Sequence, residues 1–529
     1  MDDRDCYLDS LHARSDIDFR GTVFGPELLE LLLNSMCDPI DNLCQVGNAD
    51  FADAYFLERC DFSDVVFTQS VNFHQACFEN AEFTHTEFVG VANFSAAVFP
   101  TGVFFGKVIF RSRAEFHGAS FAREMLFNEC AVVEEASFRK VIFGGPVSFA
   151  RTVANRLDFT RSQFNGDTGQ LGPFYCPGSA SFTQAIFAGP VDIDIMATFV
   201  HLHGTRWESA AIIRLRHARV SLDNAIFTHP ISIKSHPTHF ADFDASIEWP
   251  VKRAQLTSLR GVDCSFLSLG DIDLSQCQLS GAFHLDLIRL EGHSTFAIPP
   301  EGWRLRIGFP FNWTRRQVIE EERQWRALPS RPNALRRGWG DSPADAPSLA
   351  ALTAIYRQLR KAREDAKDEP GAADFYYGEM EMRRHSHTWR QAERWLLQAY
   401  WLLCGYGLRA SRALGWLAAA MITTIMLMVS FGLPNESPKQ TATGTVPEGG
   451  GKVTFKIDKE DPSNPTGDRF TGERYQKALT VTLNSVIFRS SGQDLTTAGT
   501  YIEMTSRLAE PVLVAFAGLA VRGRVKRGS

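Results

Sequence analysis

A short polar loop near the C-terminus carries the side chains best suited to contact an ion. Its six consecutive residues are the candidate pore or filter residues: Arg489, Ser490, Ser491, Gly492, Gln493 and Asp494. Cation pores use rings of backbone carbonyls or acidic side chains, so Asp494 could line such a site, whereas Arg489 would repel cations at a pore axis. Arg507 and Glu510 follow inside an apolar segment, where charged side chains normally face protein or water. They are the candidate membrane charges.

The sequence offers no comparable set of residues for catalysis. It has no Gly-rich phosphate loop of the required form, no zinc-type His and Cys spacing and no nucleophile elbow. His201 with His203, and His236 with His239, could bind a metal, but histidines that lie loosely in surface turns are the commoner case. We therefore expect no enzyme, no catalytic residue, no metal site and no cofactor.

Two apolar segments must position the candidate residues in a membrane. Residues 413–433 are almost entirely apolar, and a run of about 20 such residues crosses the ~30 Å hydrocarbon layer. The second segment, 498–521, reaches the same length only by including its charged residues. Between them we expect an extracytoplasmic loop at 434–475 and a short re-entrant pore helix and loop at 476–494. The aromatic, basic stretch 389–412 predicts an interfacial helix on the membrane surface.

Basic residues flank both expected spans on the same side. Arg409 and Arg412 precede the first span, and a basic tail at 522–529 follows the second. Because cytoplasmic flanks carry the excess of Lys and Arg, both span termini, and the long N-terminal part of the chain, are expected to be cytoplasmic at the cell membrane.

A phenylalanine ladder dominates that N-terminal part. The residues recur at steps of five or six: Phe62, Phe67, Phe73, Phe78, Phe83, Phe88, Phe94, Phe99, Phe105, Phe110, Phe116 and Phe121. A small residue often stands two positions earlier, as Ala92 does before Phe94. This period fits neither a helix nor a strand, and it predicts a square solenoid with Phe and the small residue inside.

The triplets Ala92-Asn93-Phe94, Ala81-Glu82-Phe83 and Cys60-Asp61-Phe62 resemble the pentapeptide-repeat family. The resemblance implies a right-handed quadrilateral β-helix, the β-solenoid fold. We expect the solenoid at 51–295, after an N-terminal cap at 1–50, with a loop at 165–178. A linker with a charged helix at 296–347 and a cytoplasmic helical hairpin at 348–388 should follow.

The order of span, loop, short helix, polar loop, span and basic tail resembles the two-helix pore module of potassium-channel-like proteins. Together with the repeats, it resembles bacterial pentapeptide-repeat membrane proteins with channel-like ends. The chain departs from the module where the filter should be: Thr-Val-Gly-Tyr-Gly is absent, and Thr496-Thr497-Ala498-Gly499 comes too late in the sequence.

Two functions remain open on these observations. The first is an oligomeric channel-like integral membrane protein with a cytoplasmic sensing or docking solenoid, since one pair of spans cannot enclose a pore. The second is a membrane-anchored scaffold whose solenoid binds a protein partner without conduction. Nucleic acid is not expected as a partner, because the net charge of −6 over 529 residues provides no basic face. The cysteines lack paired spacing, and Cys60 and Cys277 occupy small-residue positions of the repeat.

Overall fold

The computed structural model divides the chain into two compact units, Met1–Tyr376 and Tyr377–Ser529. It describes residues 7–8, 10–37, 43–236, 253–302, 304–306, 309–311, 313–340, 347–434, 440–444, 455–459, 462–463, 467, 469–487 and 494–525. The predicted β-solenoid is confirmed: the first unit contains about 11 turns of stacked coils, and helices follow them.

The phenylalanine ladder forms the core of this solenoid. Phe94 is fully buried, and its ring stacks on Phe73 and on Phe116 with centroid separations of 4.9 Å. These partners lie 21 and 22 residues away (94 − 73 and 116 − 94), so one coil is slightly longer than four pentapeptides. Ala92 pairs with Ala114 on the neighbouring coil, and both are fully buried. The small residue therefore leaves the space that each ring fills.

Parallel pairing between coils builds two large sheets. The larger has 19 strands: Ile17–Asp18, Cys44–Val46, Ala49–Asp50, Val65–Phe67, Val71–Asn72, Glu87–Phe88, Ala92–Asn93, Ile109–Phe110, Ala114–Glu115, Ala131–Ser137, Val153–Asp158, Gly169–Ser181, Val191–His201, Ala211–Arg216, Arg219–Ser221, Ile231–Ser235, Gln255–Ser258, Leu267–Gly270 and Arg289–Glu291. The other has 13: Val23–Phe24, Tyr55–Asp61, Cys77–Glu82, Val98–Phe99, Val103–Gly106, Ser120–Phe121, Met125–Asn128, Ile142–Phe143, Val147–Ser148, Gln163–Phe164, Ile186–Phe187, Arg206–Trp207 and Ile226–Phe227.

The coils begin before residue 51, inside the segment expected to be only a cap. Ile17–Asp18 pairs in parallel with Ala49–Asp50, and Val23–Phe24 pairs with Tyr55–Asp61. Helix α1, Pro26–Ser35, interrupts this first coil and buries Leu29 and Leu32. The insertion of the helix breaks the five-residue period, which is why the sequence pattern does not reveal the first coil.

The prediction of a loop at 165–178 was wrong. Most of it belongs to the strand Gly169–Ser181, which pairs along its length with Val191–His201. The register shifts between Leu171 and Phe174 and again between Cys176 and Ser179. Pro173 and Pro177 fall within these shifts, where a missing N–H does not break a regular ladder. Gly and Pro therefore mark bulges in a strand here rather than a loop.

Four helices follow the coils up to the boundary between the units: α2, Glu320–Ala327; α3, Asn333–Arg336; α4, Leu349–Asp365; and α5, Glu369–Ser386, which crosses the boundary. Two short antiparallel strands, Arg304–Arg306 and Phe309–Phe311, precede them. The Ser348 side chain accepts from the N–H of Ala351 and caps α4. Leu352, Ile355 and Leu359 bury one face of α4.

Two carboxyl groups of α2 lie buried. Glu321 accepts hydrogen bonds from the backbone N–H groups of Leu279, at 2.5 Å, and Ser280, at 2.6 Å, in the last coils. Glu322 accepts from Arg316 at 2.5 Å and from Arg326 at 2.6 Å, and the Tyr356 hydroxyl donates to its other oxygen. The bonds of Glu321 tie α2 to the end of the solenoid, whereas those of Glu322 join α2 to Arg316 and to α4 and compensate for the loss of water around that carboxyl group.

The second unit is helical. Its elements are α6, Ala392–Cys404; α7, Ala410–Leu427, which continues as a π-helix over Met428–Gly432; α8, Gly472–Ile487; and α9, Thr497–Val525. The strands Gln440–Thr443 and Lys456–Lys459 form an antiparallel pair between α7 and α8. Gly405, in the left-handed region at φ 54°, ends α6 and lets the chain turn into α7.

Candidate functional site

The candidate site lies where α9 packs against α7. Among the described residues, Ala410–Gly432 and Thr497–Val521 are each long and apolar enough to cross a membrane. In the most apolar 18-residue stretch of each helix, only 22% is buried. Both helices therefore present most of their apolar surface outward, as expected of lipid-facing helices rather than of the core of a soluble domain.

The buried face of α9 is polar, although the helix is apolar overall. From the residue before α9 onward, the buried positions follow one another at steps of three, four and seven: Thr496, Gly499, Glu503, Ser506, Glu510, Ala517 and Ala520. Such spacing places one continuous stripe along the contact with a neighbouring helix. Two carboxyl groups and a hydroxyl thus occupy the middle of a helix–helix seam.

Glu510 lies near the centre of the second apolar helix and is fully buried. Its Oε1 accepts a hydrogen bond from the Thr424 hydroxyl at 2.9 Å, across the seam. Its Oε2 is also buried, and it has no hydrogen-bond partner in the part of the chain that the structure describes. A buried polar atom without a partner costs free energy, and in a native protein it calls for an explanation.

Glu503 and Arg507, about two turns and one turn before Glu510, form an ion pair. The Nη2 of Arg507 lies 2.6 Å from Oε1 of Glu503 at an i,i+4 spacing. Glu503 is buried, whereas Arg507 is partly exposed. This pairing compensates both charges, and it directs the Arg507 side chain toward Glu503.

A groove beside the seam opens outward. It encloses a cavity of about 500 Å³, and its wall is mostly apolar. Its polar lining comes from both helices: Thr423 and Thr424 of α7, and Tyr501, Thr505, Ser506 and Glu510 of α9. Thr423, Tyr501 and Thr505 are exposed there. The groove therefore brings hydroxyl groups to the surface of an apolar helix pair, and the buried carboxyl group of Glu510 lies in its wall.

A close backbone contact fixes one end of the helix pair. A Cβ added at Gly499 would overlap the backbone of Gly432, including its carbonyl oxygen. The Thr496 hydroxyl donates to the carbonyl of Phe431 at 2.7 Å and accepts from the N–H of Gly499 at 3.1 Å, so it also caps α9. Small residues that allow such approach are typical of packed membrane helices.

Arg474 of α8 closes the same end of α7. Its guanidinium donates to the carbonyls of Val429, Leu433 and Pro434 at 2.8–3.0 Å. These carbonyls belong to the π-helical turn and the residues after it, which have no intrahelical partner. The side chains of Ala478 and Val481 complete a hydrophobic cluster with Ile425, Met428 and Val429.

An exposed aromatic surface precedes the first apolar helix. Trp395, Leu396 and Leu402 project from α6, with Trp389 before it. The indole N–H of Trp416, in α7, donates to the carbonyl of Leu402 at 3.1 Å. Arg394, next to Trp395 in α6, is buried, lies 4.6 Å from the Trp389 ring and donates to the carbonyl of Arg384. Exposed Trp residues next to an apolar helix suit the headgroup level of a bilayer.

The predicted site residues separate into three groups. Arg489, Ser490, Ser491, Gly492 and Gln493 lie outside the described residues. Asp494 is exposed, just before the cap of α9. Arg507 and Glu510 both belong to α9, but they have different partners. Asp494 and the membrane charges are therefore separate: about 15 Å of helix lies between the start of α9 and Arg507.

Sequence reasoning missed Thr424 and the pair Gly432 and Gly499. Thr423 and Thr424 are adjacent polar residues in the middle of an apolar run, and that signal was available. No sequence pattern indicated the contact between Gly432 and Gly499, because only the packing of the helices brings these residues together. Among the described residues, no group of three or more His, Cys, Asp or Glu side chains could hold a metal ion.

The comparisons with known proteins give no relative from which a role could be transferred. No family model matches the chain, and no curated protein and no solved structure matches it. The structure by itself defines a β-solenoid protein with two possible membrane-spanning helices, which is compatible with a membrane-anchored repeat protein.

Proposed function

We propose that the protein is an oligomeric, channel-like integral membrane protein whose solenoid is a cytoplasmic sensing or docking domain. Glu510 carries the proposal. A membrane anchor gains nothing from a buried carboxyl group at mid-span, whereas ionisable residues at that depth typically mark ion pathways. Its Oε2 has no hydrogen-bond partner among the described residues and so leaves one acceptor available.

The groove beside Glu510 supplies the second argument. Two helices of one chain cannot surround a path, so a pore requires further copies. The hydroxyl groups of Thr423, Tyr501 and Thr505 would then face the neighbouring subunit or the enclosed space instead of lipid. Membrane lipid and further copies of this chain are thus the partners of the helical unit, and nucleic acid is not.

Planar bilayers containing the purified full-length protein test the proposal. We expect discrete conductance from the full chain and none from a chain truncated before Trp395. Glu510→Gln should change single-channel conductance or ion selectivity severalfold, because it removes the ionisable group without changing its size. Met504→Leu, at an exposed position of the same helix, is the matched control and should conduct normally.

Two outcomes would contradict a channel. The first is electrical silence under varied voltage and ions after insertion has been verified. The second is a strictly monomeric protein in mild detergent, measured by native mass spectrometry.

A membrane-anchored scaffold is the second candidate, and the solenoid surface favours it. Ile142 and Ile226 are 42% and 52% exposed, and both belong to one surface column that runs through Gln163, Ile186 and Arg206. Such a column could bind a protein partner. A chain lacking residues 389–529 should then retain binding to that partner, whereas a channel subunit would lose its assembly.

A further inference from the structure

Two cysteines meet at the N-terminal end of the solenoid. Cys37 follows α1, and Cys44 begins the strand Cys44–Val46 of the first coils. The two residues form an antiparallel bridge, and the N–H of Gln45 donates to the carbonyl of Met36 at 3.1 Å. Residues directly opposite in an antiparallel pair have Cα atoms about 4.5–5.5 Å apart, which is the range of disulfide bonds.

The side chains of these residues converge as well. Both thiols donate to the carbonyl oxygen of Leu33, Cys37 at 3.5 Å and Cys44 at 3.3 Å. The two sulfur atoms therefore lie on the same side of the bridge. Cys44 is buried, whereas Cys37 is partly exposed, so a soluble oxidant can reach one thiol of the pair.

We propose that Cys37 and Cys44 form a reversible disulfide that covalently ties helix α1 to the first coils. The oxidant class is a small-molecule disulfide such as glutathione disulfide. This modification site is independent of the proposed channel and concerns the solenoid end farthest along the chain from the apolar helices.

The exchange proceeds in two steps. The Cys37 thiolate attacks one sulfur of glutathione disulfide, and one glutathione leaves as a thiolate that takes up the proton lost by Cys37. The Cys44 thiol then loses its proton and attacks the Cys37 sulfur, releasing the second glutathione. The protein loses two electrons and two protons, and glutathione disulfide becomes two glutathione molecules.

The second step should be the slow one. Burial, together with the neighbouring Cys37, raises the pKa of the Cys44 thiol to about 12. Little thiolate is present at neutral pH, so the rate of ring closure should increase about tenfold for each pH unit below that value.

The sequence makes the test direct. Trypsin releases residues 21–59 as one peptide, because no Lys or Arg lies between Arg20 and Arg59, and this peptide contains Cys37 and Cys44 as its cysteines. The next peptide, 60–107, contains Cys60 and Cys77. Cys60 lies opposite Ala81 rather than Cys77, so the second peptide is an internal control.

Full-length protein in detergent is equilibrated with glutathione and glutathione disulfide at a series of ratios, quenched with acid, alkylated under denaturing conditions and digested. At oxidising ratios we expect peptide 21–59 to carry no alkyl group and to be two hydrogens lighter than the free dithiol peptide, and we expect it to carry both alkyl groups again after reduction. Peptide 60–107 should keep both of its alkyl groups. Oxidation should also slow hydrogen exchange in α1.

Two variants keep the test decisive. Cys37→Ser should leave Cys44 fully alkylated, and Cys44→Ser should stop the reaction at a glutathione adduct on Cys37. The proposal is overturned if the unmodified protein stays alkylated at both positions under oxidising conditions, or if it accumulates only the glutathione adduct.

Discussion

At the residue scale, the Phe position of the repeat supplies the rings that fill the solenoid core. The ladder rings stack on rings in the neighbouring coils, as Phe99 does on Phe78 and Phe121. Phe94 packs edge-to-face with Phe83 and Phe105 at 5.7 and 5.8 Å, in addition to its two stacked partners. Aromatic pairs add stabilisation beyond the area that they bury. The narrow interior also leaves no neighbouring side chain that could move into a vacated position.

We therefore expect Phe94→Ala to lower the free energy of unfolding of the solenoid by about 3–5 kcal/mol, through lost burial and the cavity left behind. Val98→Ala is the control, because Val98 is 40% exposed, and it should change that free energy by less than about 0.5 kcal/mol. Urea denaturation followed by circular dichroism measures both. Equal effects of the two substitutions would contradict the core role of the ladder.

At the element scale, the buried carboxyl group of Glu321 joins helix α2 to the last coils. Burial raises the pKa of Glu321 to about 7. The folded protein therefore binds more protons than the unfolded chain between the ordinary pKa of about 4.5 and pH 7. The contribution of this group favours folding below that window and is lost as the pH rises through it.

The predicted consequence is a contact that weakens as the pH rises from about 4.5 to 7. The limit for one group is roughly 3 kcal/mol, from about 1.4 kcal/mol per pKa unit. Hydrogen exchange at the amides of Leu279 and Ser280, corrected for the intrinsic rate, measures it. Glu321→Gln should abolish the pH dependence, because glutamine keeps an acceptor for both N–H groups but does not ionise.

Glu129→Gln is the matched control for this experiment, since Glu129 is exposed on the solenoid surface. It should retain the pH dependence of the unmodified protein. A protection factor that is flat with pH before any substitution would refute the assignment to Glu321.

At the scale of the whole molecule, the open question is which side of a membrane each part occupies. The basic flanks of the two apolar helices predict that the solenoid and both span termini are cytoplasmic. The antiparallel pair Gln440–Thr443 and Lys456–Lys459, between the two apolar helices, would then lie on the other side.

Thiol labelling of intact cells with a membrane-impermeant maleimide measures this orientation. Thr441→Cys should be labelled in intact cells, because Thr441 is exposed in that strand pair. Ser386→Cys, at an exposed position before α6, should be labelled only after lysis. The reverse pattern would show the opposite orientation, and labelling of neither in intact cells would show that the pair does not cross.

The sequence alone determined the repeat architecture. A Phe that recurs every five or six residues fits neither a helix nor a strand, and stacked coils bury every such ring. It also determined the two apolar helices, since length and hydropathy are local properties. Tertiary structure decided the rest, because the remaining features depend on contacts between residues distant in sequence. Thr424 meets Glu510, Gly432 meets Gly499, and Cys37 meets Cys44 only once the chain is folded. The first coil and the strand Gly169–Ser181 were hidden for the same reason: pairing with neighbouring coils outweighed a local interruption of the repeat.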